Sequence, residues 1–310
     1  MSTLGNQNQE VESSIYSVNK GLILSLIFLS FASFSIGFLF NFSFEDKIIG
    51  FIEKNVKYNR KCPTSYRKLS LDYIFPKIKM FDVNLNSRCI GTSKNLKIKR
   101  LESSLGFPSI SPLGLGLNTT VQDKFSKIDI SSAHSPSVNH FNIESKDLDA
   151  KSLAPLLKNF DLSGNFTLNS NIAMTRKNLS DLKLKIESTN FEIPAQNVSG
   201  FDVPKLKLGS LLVKAKMKGK KKLIIEEVIV GQELSPIRAS ISGTIDMDKY
   251  NFSRSKLSLL ATVKFSSAFI ESFPILNLLL DPTKQDPQGF YKIRLKGTVS
   301  NPGKPQILNP

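Results

Sequence analysis

One uncharged stretch constrains this chain more than any other: Gly21 to Phe44, GLILSLIFLSFASFSIGFLFNFSF. As a helix rising 1.5 Å per residue, about 20 residues cross a ~30 Å hydrocarbon core. Leu, Ile and Phe dominate the run. Its polar residues, Ser25, Ser30, Ser33, Ser35, Asn41 and Ser43, are mostly serines, which return a hydroxyl bond to a carbonyl one turn back. A cleaved signal peptide needs a shorter apolar region, a basic start and an Ala-x-Ala-like site. Here the start carries Glu10 and Glu12, and Ala32 sits in mid-run. The expectation is an uncleaved single-pass anchor over residues 21–44 that meets the lipid bilayer directly. Residues 1–20 read as a disordered polar tail. Residues 45–300 read as a β-rich domain, with a point of division at 101–120. Residues 301–310 read as a Pro-rich tail.

The formal charge is +16, and Lys20 against Glu10 and Glu12 leaves −1 before the anchor. The region after it therefore holds about +17, a balance that invites anionic lipid or acidic partners. The basic residues alternate along the chain, as at Lys214, Lys216 and Lys218, which is how the solvated face of a strand reads. The expectation is no nucleic-acid partner. A denser group, Lys218 and Lys220 to Lys222, surrounds Gly219 and reads as a hairpin turn.

Two signals disagree on which side of the membrane the large domain lies. Lys47, Lys54, Lys57, Arg60 and Lys61 follow the anchor and only Lys20 precedes it, a bias that retains a flanking domain in the cytoplasm. Long domains translocate despite such charges. Cys62 and Cys89, separated by one expected hairpin, read as a candidate disulfide of an oxidising compartment, with two unrelated thiols as the alternative. The reading taken is an extracytoplasmic domain.

Beyond the anchor, residues 47–58 have the spacing of a short amphipathic helix. The period then becomes two. Leu69, Leu71 and Tyr73, then Phe81, Val83 and Leu85, then Leu96 and Ile98 alternate with polar residues. Residues 101–120, rich in Gly, Pro and Ser, read as a loop with a helical turn. Strands are expected near 125–130 and 140–144, and a helix over 147–159 with Asp149 as its cap. Further strands are expected at 164–173, 181–188, 205–217, 223–230, 237–247, 255–265 and 291–299, with a helical insert at 266–280. Short connections imply antiparallel neighbours and alternation implies one buried face. The fold class is mainly β: an N-terminal transmembrane helix, then a long antiparallel meander with a few short helices. Periodicity leaves open whether the meander is a gutter, a sandwich or an open barrel.

Three short pieces carry a resemblance: Phe160-Asp161-Leu162-Ser163-Gly164-Asn165, Ser240-Ile241-Ser242-Gly243-Thr244-Ile245 and Lys296-Gly297-Thr298-Val299-Ser300-Asn301-Pro302. They resemble the strand grammar of the type II secretion system protein N family, and more broadly that of AsmA-like envelope proteins, whose β-gutters are associated with lipid transport. The likeness covers residues 150–305 best. It implies a bacterial inner-membrane protein, single-pass, with its large domain in the periplasm. Its role would be that of an accessory or structural component of a type II protein secretion system, with envelope or secretion-system proteins as partners. The AsmA-like alternative implies a lipid-binding or lipid-transfer protein whose open apolar gutter holds phospholipid. The apolar face that would line such a groove includes Ile241, Ile245, Leu257, Leu259, Ala261 and Val263, positions that a closed sheet would use as ordinary core.

No catalytic constellation is legible, and the chain is not expected to be an enzyme or to hold a cofactor or metal. His134 and His140 lie six apart in a Ser-rich stretch and read as loop residues. Gly114-Leu115-Gly116 lacks the strand-turn-helix frame of a nucleotide fingerprint, and Glu226-Glu227 reads as a pair directed to opposite faces.

Overall fold

The computed structural model describes residues 20–309 apart from 42–43, 60–61, 73–76, 91, 93, 107–108, 111–112, 158–159, 176–177, 199, 220, 249–250, 274–275 and 277–279. The chain divides into two compact units, residues 1–55 and 56–310. The expected polar tail lies outside the described residues but for Lys20.

In the first unit, α1 (Lys20–Asn41) covers most of the uncharged run, and α2 (Phe44–Ile52) leads into a π-helical turn, Glu53–Lys57. Apolar side chains stand on every side of α1, with serines among them. Leu24, Ile27, Phe28, Phe31 and Phe34 are all exposed, and so are Leu26 and Leu29 between them. Counted over the described residues alone, no helix is long and apolar enough to cross a membrane.

The second unit is one antiparallel sheet with small additions. Its strands are β1 (Thr64–Ser65), β2 (Lys68–Asp72), β3 (Lys77–Leu85), β4 (Leu96–Leu105), β5 (Ser109–Ile110), β6 (Leu113–Gln122), β7 (Lys127–His134), β8 (Asn139–Asp149) and β9 (Asn165–Thr175). They continue with β10 (Asn178–Ile193), β11 (Gln196–Val198), β12 (Phe201–Val203), β13 (Leu206–Lys218), β14 (Lys222–Val230), β15 (Ile237–Asp246), β16 (Lys256–Phe265), β17 (Tyr291–Thr298) and β18 (Gln306–Leu308). A 16-stranded sheet runs in the order β1-β3-β4-β6-β7-β8-β9-β10-β13-β14-β15-β16-β17-β18, with β2 added to β3 and β5 to β6; β11 and β12 form a separate hairpin. Among the described residues its two ends do not pair with each other, so the sheet is open. Among the described residues three short α-helices interrupt it: α3 (Ser87–Ile90), α4 (Ala150–Leu153) and α5 (Ser267–Ser272). The strands expected in the C-terminal half are present, with ends within one or two residues of those expected except for β10, which is twice the expected length.

Four expectations need correction. Residues 101–120 are not a loop. Leu101 to Leu105 continue β4, and residues 113–122 form β6, with Leu101 opposite Val121 and Leu105 opposite Leu117. Gly106, Gly114 and Gly116 dilute the apolar signal there, yet the alternation Leu113, Leu115, Leu117 is present. β4 and β6 are thus neighbours in the sheet. The helix expected over 147–159 is a single turn. Asp149 does cap it, accepting from the Lys151 amide at 2.8 Å, but Asp147 and Leu148 still belong to β8. His134 and His140 are not loop residues; they end β7 and begin β8, around the turn at 135–138. Glu226 and Glu227 do not act on opposite faces. A bulge in β14 lets Glu227 bond Lys214 at 3.2 Å and Glu226 pair with Lys216, both on the outer face of β13.

The core sits along one rim of the sheet. Leu148, Ala150, Phe166, Phe191, Leu206, Leu208 and Phe269 form one buried cluster, with Ile128, Ile186, Leu211, Val230, Ile237 and Phe265 packed against it. These residues come from β7 through β16. Laid flat, those eight strands would span roughly 34 Å at ~4.8 Å per spacing, more than one short helix covers. The sheet is therefore curled about its apolar face. The longer connections after β8, β10 and β16 all leave the strands at this rim, and the tight turn at 135–138 lies at the other.

Candidate functional site

Cross-strand partners in an antiparallel sheet share a face, and so do residues two apart along one strand. Ile241 pairs with Ala261, Ile245 with Leu257 and Gly243 with Leu259. Val263 follows Ala261 by two and faces Ala239. All six candidate groove residues thus stand on one face of β15 and β16.

That face continues in both directions. Val213 pairs with Val228, Val228 with Ile241, and Ala261 with Ile293. On the other side Ile186 pairs with Val213 and with Leu168. The result is an apolar row, Leu168, Ile186, Val213, Val228, Ile241, Ala261 and Ile293, that crosses seven strands at right angles. At ~4.8 Å per spacing it is roughly 29 Å long. A second row beside it runs Leu184, Ala215, Ile225, Gly243, Leu259 and Leu295. Alternation made the lining of single strands legible in the sequence. The rows depend on register, which periodicity does not contain.

The cover over this face is partial. From α5 and the residues after it, Phe269 stacks on Phe265 with ring centroids 5.8 Å apart, and Phe273 lies 4.9 Å from Phe269. Together with Leu276 they close the rim-side end of the face. None of the six candidate residues belongs to that cluster. Ile245 is buried, whereas Ile241, Leu257, Leu259, Ala261 and Val263 are half-buried. Among the described residues no second sheet lies over them. Of the helical insert expected at 266–280, the described residues show α5 over Ser267–Ser272; its role as an aromatic cover was not legible, because nothing in its own period says which face it lands on.

The outer face is polar and largely neutralised in the middle of the sheet. Lys185 pairs with Glu187 at 2.9 Å, Lys214 with Glu227 and Lys216 with Glu226. Nearer the N-terminal edge, burial of Glu102 works to raise its pKa, but Lys77 and Arg100 outweigh it and hold the carboxyl below its ordinary value. The Thr120 hydroxyl donates to Asp129 at 2.7 Å and, against some desolvation and with help from Lys127, lowers that carboxyl too. A shallow concavity of about 450 Å³ lies on the outer face of β6 to β9, floored by Gly116, Ala133 and Ala173 and walled by Asn118, Asn142 and Asn171. It does not communicate with the apolar rows, which face the other way.

Cys62 and Cys89 are joined by a disulfide, with Cα atoms 5.1 Å apart. It ties the segment before β1 to α3, at the N-terminal edge of the sheet. His134 bonds Ser132 Oγ at 3.0 Å and Asn139 Oδ1 at 3.2 Å. Among the described residues no group of three or more His, Cys, Asp and Glu is close enough to hold a metal ion.

No protein-family model, no curated protein and no solved structure matches the chain.

Proposed function

We propose that this protein is a membrane-anchored lipid-binding protein that holds acyl chains along the open apolar rows of β10 to β17. The observation that carries the reading is the partial cover: an apolar track some seven strands long, of which the aromatic cluster closes only one side. A single face of this length exposed to water would mark a binding or association surface, and its curl gives a trough matched to a flexible apolar chain. The apolar surround of α1 supports an anchor at residues 21–44. The Cys62–Cys89 disulfide supports an oxidising compartment, hence a domain outside the cytoplasm. With the resemblance of the strand motifs, this is a bacterial inner-membrane protein with its large domain in the periplasm.

A second reading is a structural component of a type II secretion apparatus. Its support is the edge strand β18, which among the described residues pairs with β17 alone and leaves a backbone row open to strand addition by a partner.

Photo-crosslinking separates the two. Phosphatidylcholine with a diazirine on its acyl chain is expected to label Ile241, Leu259 and Ala261 and to spare Ser258 and Thr262 on the outer face. Equal labelling of both faces, or none on the inner one, contradicts the lipid reading.

A further inference from the structure

The outer face of the last strands differs from the rest of the sheet. On β17, Lys292, Arg294 and Lys296 alternate outward and are all exposed. Their cross-strand neighbours on β16 are Thr262, Leu260 and Ser258, and beyond those on β15 stand Ser240, Ser242 and Thr244. None of these carries a negative charge. Arg238 and Lys264 flank the same surface, each 5.5 Å from the Phe290 ring.

The acids nearby are engaged elsewhere. Asp246, at the far end of β15, pairs with Lys222 at 3.6 Å. Asp281 accepts from the Thr283 amide and hydroxyl, and Asp286 accepts from the amides of Gln288 and Phe290. Elsewhere on the sheet cations meet carboxylates: Lys77 and Arg100 at Glu102, Lys79 at Asp72, Lys127 at Asp129, Lys214 at Glu227. Among the described residues no ion pair involves β16 or β17.

We infer that the outer face of β15 to β17 is a docking surface for an anionic bilayer. Three cations on alternate residues of one strand stand ~7 Å apart, in line and directed the same way. Short hydroxyl side chains of β15 and β16 on one side offer donors to phosphate oxygens, and on the other side β18 sets the uncharged Leu308 and Gln306 opposite Lys292 and Arg294. Leu260, 39% exposed in the middle of the patch, supplies one apolar contact. This cationic face complements a plane of anionic headgroups. The inference is independent of the acyl-chain trough, which lies on the opposite face.

The test uses the full chain reconstituted into neutral phosphatidylcholine vesicles. A second, labelled vesicle population is added, either phosphatidylcholine alone or a mixture with phosphatidylglycerol, and its capture is measured by flotation. Capture is expected only of the anionic vesicles, and it is expected to vanish at 1 M salt, where the screening length falls to ~3 Å. With about 1 kcal/mol per cation near an anionic surface, replacing Lys292, Arg294 and Lys296 together by Gln is expected to weaken capture on the order of a hundredfold. Removing Lys183, Lys214 and Lys216 in the same way is expected to leave it within a few-fold. Capture of neutral vesicles as efficiently as anionic ones overturns the inference. So does capture that survives high salt, or a loss equal in both triple variants. Binding of a duplex DNA fragment without capture of anionic vesicles overturns it in favour of a nucleic-acid surface. The lipid and salt dependence of the unaltered chain decides the matter even where a variant folds poorly.

Discussion

Gly243 sits in the middle of β15 with a φ of +145°, a region that residues with a side chain rarely enter. A Cβ there would run into the Ser258 carbonyl oxygen. Gly164 and Gly297 share the feature, with φ of +121° and +134° and backbone close to the absent side chain. These are the glycines of the three motifs that carry the family resemblance. Their physical content is therefore a strand that bends or lets a neighbour approach, not a chemical group. Gly243→Ala is expected to destabilise residues 56–310 by roughly 1–3 kcal/mol, read from the urea midpoint. Gly219→Asn is the control. Its φ of +65° suits Asn, and open space surrounds it, so the midpoint is expected to stay unchanged. Equal loss in both would contradict the close-approach account. The motifs were visible in the sequence. The reason for their glycines was not, because φ and the approach of Ser258 arise only from pairing.

At the scale of elements, period-two alternation made most strands legible, and it failed where glycine or a bulge broke it. β6 was lost among Gly114 and Gly116. The Glu226-Glu227 pair misled because the register of β14 shifts between Ile225 and Val228. The disulfide belongs to this scale as well. It closes 27 residues of chain and clips the segment before β1 to α3. The chain-entropy model puts such a closure at about 3–4 kcal/mol. In a sheet built strand on neighbouring strand, that stabilisation stays local. Reduction, or Cys89→Ser, is expected to speed hydrogen exchange in β1 to β4 and to leave β13 to β17 unchanged. Faster exchange throughout the sheet, or none in β1 to β4, would contradict this.

At the scale of the second unit, the described residues leave the sheet with one covered rim and one apolar face half open. Among the described residues of this unit fourteen apolar side chains are buried, several at the rim cluster, and Ala150, Leu208 and Ser255 are the most deeply buried. A thin core of this kind follows from the topology. One sheet covered by a few short helices has no second layer to complete its apolar face. The sequence could show that such a face exists, residue by residue, but openness is a property of the ends of the sheet and of where the inserts land. The most direct test of the lipid-binding reading is to prepare residues 56–310 without detergent, extract them with organic solvent and analyse the extract by mass spectrometry. The account predicts phospholipid near stoichiometry, falling severalfold when Leu259 and Ala261 are replaced by Asp and Trp in a variant that keeps its circular dichroism. A clean blank from the unaltered domain would contradict it and return those faces to the core.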